Sequence, residues 1–256
     1  MTSLLVPQET LAAAQAGSIS RLGAFVTTRT LNQAAGVAEG LLLAKSGTAG
    51  QECISPTTEA LVKSAVGFSV FRPMSEDFDT THHYADNEAV AIMEEGHMNV
   101  LSEGTTVADQ PVFARITSDG GSNTVLGKVR GDSDYPAGGI VITPDASFAA
   151  ALTTVGITLS DGVNPPQTFQ FSTDATPITA EVAAGLVAAI DASDLFASTG
   201  TTTISVTSTT GIVEIVAMDE RLTLTTPARA IRVPGTFFDA SRTGAGLVEI
   251  RRAKVN

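Results

Sequence analysis

From about residue 37 to residue 143 the chain runs as short apolar stretches broken by turn residues, and this cadence narrows the fold more than any other feature. The stretches "AEGLLLAKS", "SAVGFSVFR", "EAVAIMEEGHMNVL", "QPVFARIT" and "TVLGKVRGD" are separated by intervals of 6 to 17 residues, near ten on average, which suggests an all-β barrel or sandwich. Within the third stretch Val90 and Ile92 alternate with alanines, and the alternation resumes at Met98 and Val100 after Glu94-Glu95-Gly96. This predicts a hairpin with those four side chains facing inward. Gly96 would supply the positive φ of the turn, and Glu94, Glu95 and His97 would sit at its exposed tip.

The pattern changes near residue 144. Two strand-like runs lead to "TAEVAAGLVAAIDA", in which Val182, Leu186 and Ile190 fall four residues apart on one helical face, and two more strand-like runs follow. Thr179 reads as the N-cap, with Glu181 in the first turn where the helix dipole favours an anion. After "MDERL" the strand-and-turn character returns and closes on "GLVEIRR", with Val248 and Ile250 on one face and Leu247 and Glu249 on the other. The predicted fold is therefore mainly β. A barrel- or sandwich-like body at 36–143 and 218–256 carries an inserted α+β (ββαββ) module at 144–217, with the two crossings near residues 140 and 220. Residues 1–35, which show no clear strand pattern, read as an extended N-terminal arm.

Several function classes find no support. The net charge is −12 and no run of Lys or Arg is present to neutralise phosphates, so nucleic acid is not an expected partner. The start, "MTSLLVPQETLAAAQAG", has no basic region and only Leu4, Leu5 and Val6 as an apolar run, so neither a signal peptide nor a membrane span is expected. Cys53 is the one cysteine of the chain, which excludes an internal disulfide. His82, His83 and His97 are the three histidines, and all lie in one segment. The adjacent pair would point to opposite faces of an extended chain, and no H-E-x-x-H or C-x-x-C spacing is present, so no metal site is expected. Asp119, Asp132 and Asp134 lie in Asp/Gly turns without the spacing of a calcium loop. There is no G-x-S-x-G elbow and no phosphate-binding glycine loop. The chain therefore reads as a non-enzyme without cofactors. Its charged fraction of 16% is below the roughly 25% of ordinary globular domains, which suits surface covered by partners.

Val66-Gly67-Phe68, the run Asp86 to Met93, Gly96-His97-Met98-Asn99-Val100, Pro111-Val112-Phe113-Ala114-Arg115 and the closing "PGTFFDASRTGAGLVEI" follow one another in an order that resembles the structural cement, or capsid decoration, proteins of tailed bacteriophages. Asn87 and Asp109-Gln110 depart from the family pattern, and the inserted module is atypical of it. The module itself is similar to small ββαββ units of tail-sheath and other phage surface proteins.

The resemblance implies a virion protein, made in the host cytoplasm, that binds the outer surface of the capsid and stabilises contacts between major capsid protein subunits. Its partners would be the major capsid protein and itself, as a homo-oligomer, with a trimer favoured over a dimer. The neighbour-contacting residues would be Leu4, Leu5 and Val6 of the arm and Glu94, Glu95 and His97 of the predicted tip. The alternatives are a virion surface protein whose module binds a host receptor or glycan, and a tail tube or sheath component.

Overall fold

The computed structural model describes residues 16–47, 51–71, 83–145 and 153–253. The fold is mainly β, with a closed five-stranded barrel and additional strands. The chain divides into two compact units. The first takes Met1–Ile116, Val125–Gly131 and Arg232–Asn256, and the second takes Thr117–Thr124 and Asp132–Ile231. No described helix is long and apolar enough to cross a membrane.

The first unit contains β1 (Phe25–Leu31), β2 (Val37–Ala38), β3 (Leu42–Ser46), β4 (Glu52–Ile54), the short helix α1 (Glu59–Lys63), β5 (Ala65–Ser69), β6 (His83–Tyr84), β7 (Ala89–Ser102), β8 (Pro111–Arg115) and β9 (Val129–Arg130). The second contains β10 (Ile140–Pro144), β11 (Thr154–Ser160), β12 (Gln167–Ser172), α2 (Thr179–Asp191), β13 (Phe196–Thr199), β14 (Ile204–Ser208), β15 (Glu214–Met218) and β16 (Leu222–Thr226). The chain then returns to the first unit through β17 (Ala230–Phe238) and β18 (Gly246–Arg252).

Strand β7 organises the first unit. Its first half pairs with β1, from Thr30 opposite Ala89 to Phe25 opposite Glu95, and with β5 at Phe68 opposite Met93. The order β1-β4-β3-β5-β7 thereby closes on itself as the five-stranded barrel. Its second half pairs with β18 from Gly96 opposite Arg252 to Ser102 opposite Gly246. A second ring, β7-β18-β17-β8-β9, returns to β7 where Ser102 faces Val129. Closure removes exposed sheet edges, the usual site of unwanted strand addition. The barrel core holds Leu31, Leu43, Cys53, Val66, Val90 and Ile92. Burial pushes the Cys53 thiol up to about 11, which makes it a small apolar filler and not a nucleophile.

The predicted hairpin at 89–101 is corrected by this arrangement. The stretch is one continuous strand, and its even positions Val90, Ile92, Met98, Val100 and Ser102 are all buried. The alternation keeps its phase across Gly96, as a single strand requires. Gly96 does have φ of +128°, but its role is close approach: a Cβ there would stand 2.8 Å from the Cα of Ala24. Gly67 of the Val66-Gly67-Phe68 motif serves β5 in the same way, since a Cβ would meet the Met93 carbonyl oxygen of β7. The N-terminal region also differs from expectation: residues 25–31 form β1, an integral barrel strand. Its Thr-rich "FVTTRTL" hides the alternation because much of its surface stays half-exposed.

In the second unit, β13-β14-β10-β16 and β12-β11-β15 form two small sheets. Helix α2 buries Val182, Leu186 and Ile190 against them, together with Phe169 and Phe196, whose rings meet edge to face at 5.9 Å. The residue before the helix is Ile178, with no side-chain cap bond, and Thr179 is the first helical residue, which corrects the predicted cap. The apolar face fixes where the helix docks, and packing outweighs the missing cap. The unit is wider than 144–217, because β10 and β16 pair with each other and belong to it. The chain passes between units at 116/117, 124/125, 131/132 and 231/232, four crossings in place of the two expected near 140 and 220.

Candidate interaction surface

The outward face of β7 and β18 follows from strand alternation. With Val248 and Ile250 inward, Glu249 and Arg251 project the other way, opposite Asn99 and His97 of β7. Residues 17–20 lie along this part of β7. Gly17 N–H donates to the Asn99 carbonyl at 2.7 Å, Asn99 N–H to the Ser18 carbonyl at 2.9 Å, and Ser20 N–H to the His97 carbonyl at 3.1 Å. Ile19 bridges to Met98.

This segment brings Arg21 onto a cluster of charges. Its Nη2 lies 2.5 Å from Asp239 Oδ2 and 3.2 Å from Glu249 Oε2, and the Ser20 hydroxyl donates to Glu249 Oε1 at 2.5 Å. Arg251 donates to Asp239 at 2.9 Å and to Asp109 at 2.6 Å, with its guanidinium 5.5 Å from the Phe237 ring centroid. His97 Nδ1 stands 3.2 Å from Asp239 Oδ2. Burial alone would raise the Asp239 carboxyl, but the Arg251 hydrogen bond and the charges of Arg21, His97 and Arg251 outweigh it and hold Asp239 below the ordinary carboxylate value.

Beside this cluster the same stretch exposes apolar side chains. Leu22 is fully exposed, and Ile19, Phe25 and Val26 are exposed next to it in sequence. Single exposed apolar residues are ordinary, but four within eight positions concentrate apolar surface along this stretch of chain, which suits cover by a partner.

Of the six sequence-predicted contact residues, three are described. Leu4, Leu5 and Val6 lie outside the described residues. Glu94, Glu95 and His97 are not a hairpin tip: Glu94 is half-buried, accepting from the Thr27 hydroxyl at 2.7 Å and facing Arg29, Glu95 is exposed, and His97 joins the Asp239 cluster. His82 is outside the described residues, and His83 begins β6. Asp119 caps its own turn by accepting from Gly121 and Asn123 N–H, and Asp132 accepts from Asp134 N–H. Sequence reasoning did not single out Arg21, Asp239 or Glu249. Arg21 meets its two acids across 218 and 228 positions, so no local pattern announces them.

A solved structure from Mycobacterium phage Patience aligns over 92% of this chain and 84% of that chain, at 14% identity and a TM-score of 0.22, a likeness too distant to carry any argument. No curated protein matches the chain. The family model described as structural cement protein (E217 gp24/Pam3 gp6) matches residues 6–253, which span both units. The chain belongs to this family of phage structural cement proteins.

Proposed function

We propose that the protein is a non-enzymatic virion component that binds the outside of the assembled capsid and stabilises contacts between major capsid protein subunits. The observation that carries this reading is the family match across residues 6–253. The exposed row Ile19, Leu22, Phe25 and Val26 supports it, since it offers apolar surface that a neighbour can bury at about 25 cal/mol per Å². A ligand that contacts only the expanded shell stabilises that state by RT ln(1 + [L]/Kd) at each site, so modest interfaces repeated over a shell resist internal pressure together. Shell symmetry favours a homo-oligomer on a local axis, and a trimer on a threefold serves more neighbours than a dimer on a twofold. Electron cryomicroscopy of the virion tests the placement. Density for both units on the outer surface of the head, across subunit junctions, is expected; density confined to the tail would overturn the reading in favour of a tube or sheath component.

A further inference from the structure

Each carboxylate oxygen of Asp239 and Glu249 under Arg21 receives a donor from Arg21, Arg251 or Ser20, so the open position of the cluster is on His97. His97 Nδ1 is buried and has no hydrogen-bond partner. It lies 3.2 Å from Asp239 Oδ2 and 3.9 Å from Glu249 Oε1, and one ligand atom from each of the three residues falls within 4.8 Å of the others. Two ligands bound to one ion at about 2.1 Å stand roughly 3.4 Å apart in a tetrahedral arrangement, so the His97–Asp239 spacing already fits, while Glu249, with Oε1 3.9 Å from His97 Nδ1, must exchange its Ser20 and Arg21 donors for the ion and move inward. The cation now at this position is the Arg21 guanidinium, which touches both acids while its side chain remains 55% exposed. An exposed arginine on a terminal segment can swing away without opening the core.

The charges point the same way. Asp109, Asp239 and Glu249 carry three negative charges against Arg21 and Arg251, which leaves one negative charge uncompensated when His97 is neutral. A divalent ion in place of Arg21 balances the cluster with Arg251.

We infer that His97, Asp239 and Glu249 form a latent divalent transition-metal site, for which the ion and the Arg21 guanidinium compete. One imidazole nitrogen with two carboxylate oxygens selects zinc-class ions over calcium and magnesium, which prefer oxygen alone. The three protein ligands leave a fourth position open on the side where Arg21 is exposed.

The test is equilibrium dialysis of the full, tag-free, chelator-treated chain against Zn²⁺, with Ca²⁺ as the control, on the wild type, R21A, R21A/H97A and R21A/E249Q. Removing the competitor raises the fraction of chains with an open site, so R21A is expected to bind one zinc per chain about tenfold more tightly than the wild type. Loss of a ligand in either double variant is expected to weaken that binding by at least about tenfold, and calcium is not retained. Unchanged melting temperatures show that the variants are folded, and either double variant suffices if the other is not. Zinc binding that R21A does not tighten, or that survives both double variants, places the ion elsewhere, such as at His82 or His83, and overturns the assignment. The measurement uses the isolated chain, so it succeeds or fails independently of capsid binding.

Discussion

The Arg252 guanidinium donates to the Ala65 carbonyl at 2.9 Å and so ties the last strand, β18, to β5 of the barrel. It also donates to the Glu94 carbonyl at 3.1 Å and the Thr236 hydroxyl at 3.0 Å, which places one buried cation where β5, β7, β17 and β18 meet. Burial lowers its pKa to about 10, partly countered by the Glu94 charge, and it remains protonated at neutral pH. Arg252→Ala would leave the Ala65 and Glu94 carbonyls without this donor. The expected cost is about 3 kcal/mol, read as a lower urea midpoint. A midpoint within error of the wild type would contradict the role assigned to Arg252.

Gly96→Ala tests the reading of β7 as one strand. The new Cβ would stand 2.8 Å from Ala24 Cα at a φ of +128°. A destabilisation of about 1–3 kcal/mol is expected in thermal or urea unfolding, because the neighbour is backbone and the conformation suits only glycine. A hairpin-tip residue with open space around it would give a much smaller loss.

That glycine also marks the limit of what the sequence discloses. Inward alternation at Val90, Ile92, Met98 and Val100 was legible because half-buried strands repeat every two residues, and all four are buried. The intervening Glu94-Glu95-Gly96 reads locally as a turn, although its phase does not slip. Helix α2 was legible from Val182, Leu186 and Ile190, and β18 from Val248 and Ile250, for the same reason of period. The two-residue strands β2, β6 and β9 are too short to show any period. The closure of each ring and the Arg21–Asp239–Glu249 contacts join residues far apart in the chain, which composition and local pattern do not encode.

Acid should weaken both units. Asp239 is held below the ordinary 3.8 against its own burial by Arg251, Arg21 and His97, and Asp219 is lowered chiefly by the Arg221 hydrogen bond. Asp161 is lowered by Asn164 and Val163 despite the opposing effect of burial. A carboxyl depressed in the folded state contributes stability that is complete above its unfolded pKa and is lost as pH falls through the folded value. The urea midpoint is therefore expected to be level down to about pH 4.5 and to fall below about pH 4, with a shallower fall in Asp219→Asn. A wild-type midpoint that stays level to about pH 2 would contradict these assignments.

The second unit can be shortened along its own pairing. Pro144 faces Leu222 across the antiparallel β10–β16 pair, and Asp145 N–H donates to the Arg221 carbonyl at 2.7 Å. Replacing residues 146–220 by an Asn-Gly turn should leave β10 and β16 as a hairpin. Binding to capsid shells is expected to survive, since the exposed apolar row belongs to the first unit. Loss of shell binding in a variant whose first unit keeps its melting transition would transfer the contact to the second unit and favour a receptor- or glycan-independent role for it in attachment.

Cosedimentation with undecorated, expanded capsid shells tests the central claim most directly, with the wild type run beside Leu22→Asp. Leu22 is fully exposed, so the variant should fold as the wild type does. The expected result is saturable wild-type binding at micromolar concentration, a higher melting temperature of the shells, and affinity weakened about tenfold by Leu22→Asp. Folded wild-type protein that stays in the supernatant and leaves the shells' melting temperature unchanged would contradict the account.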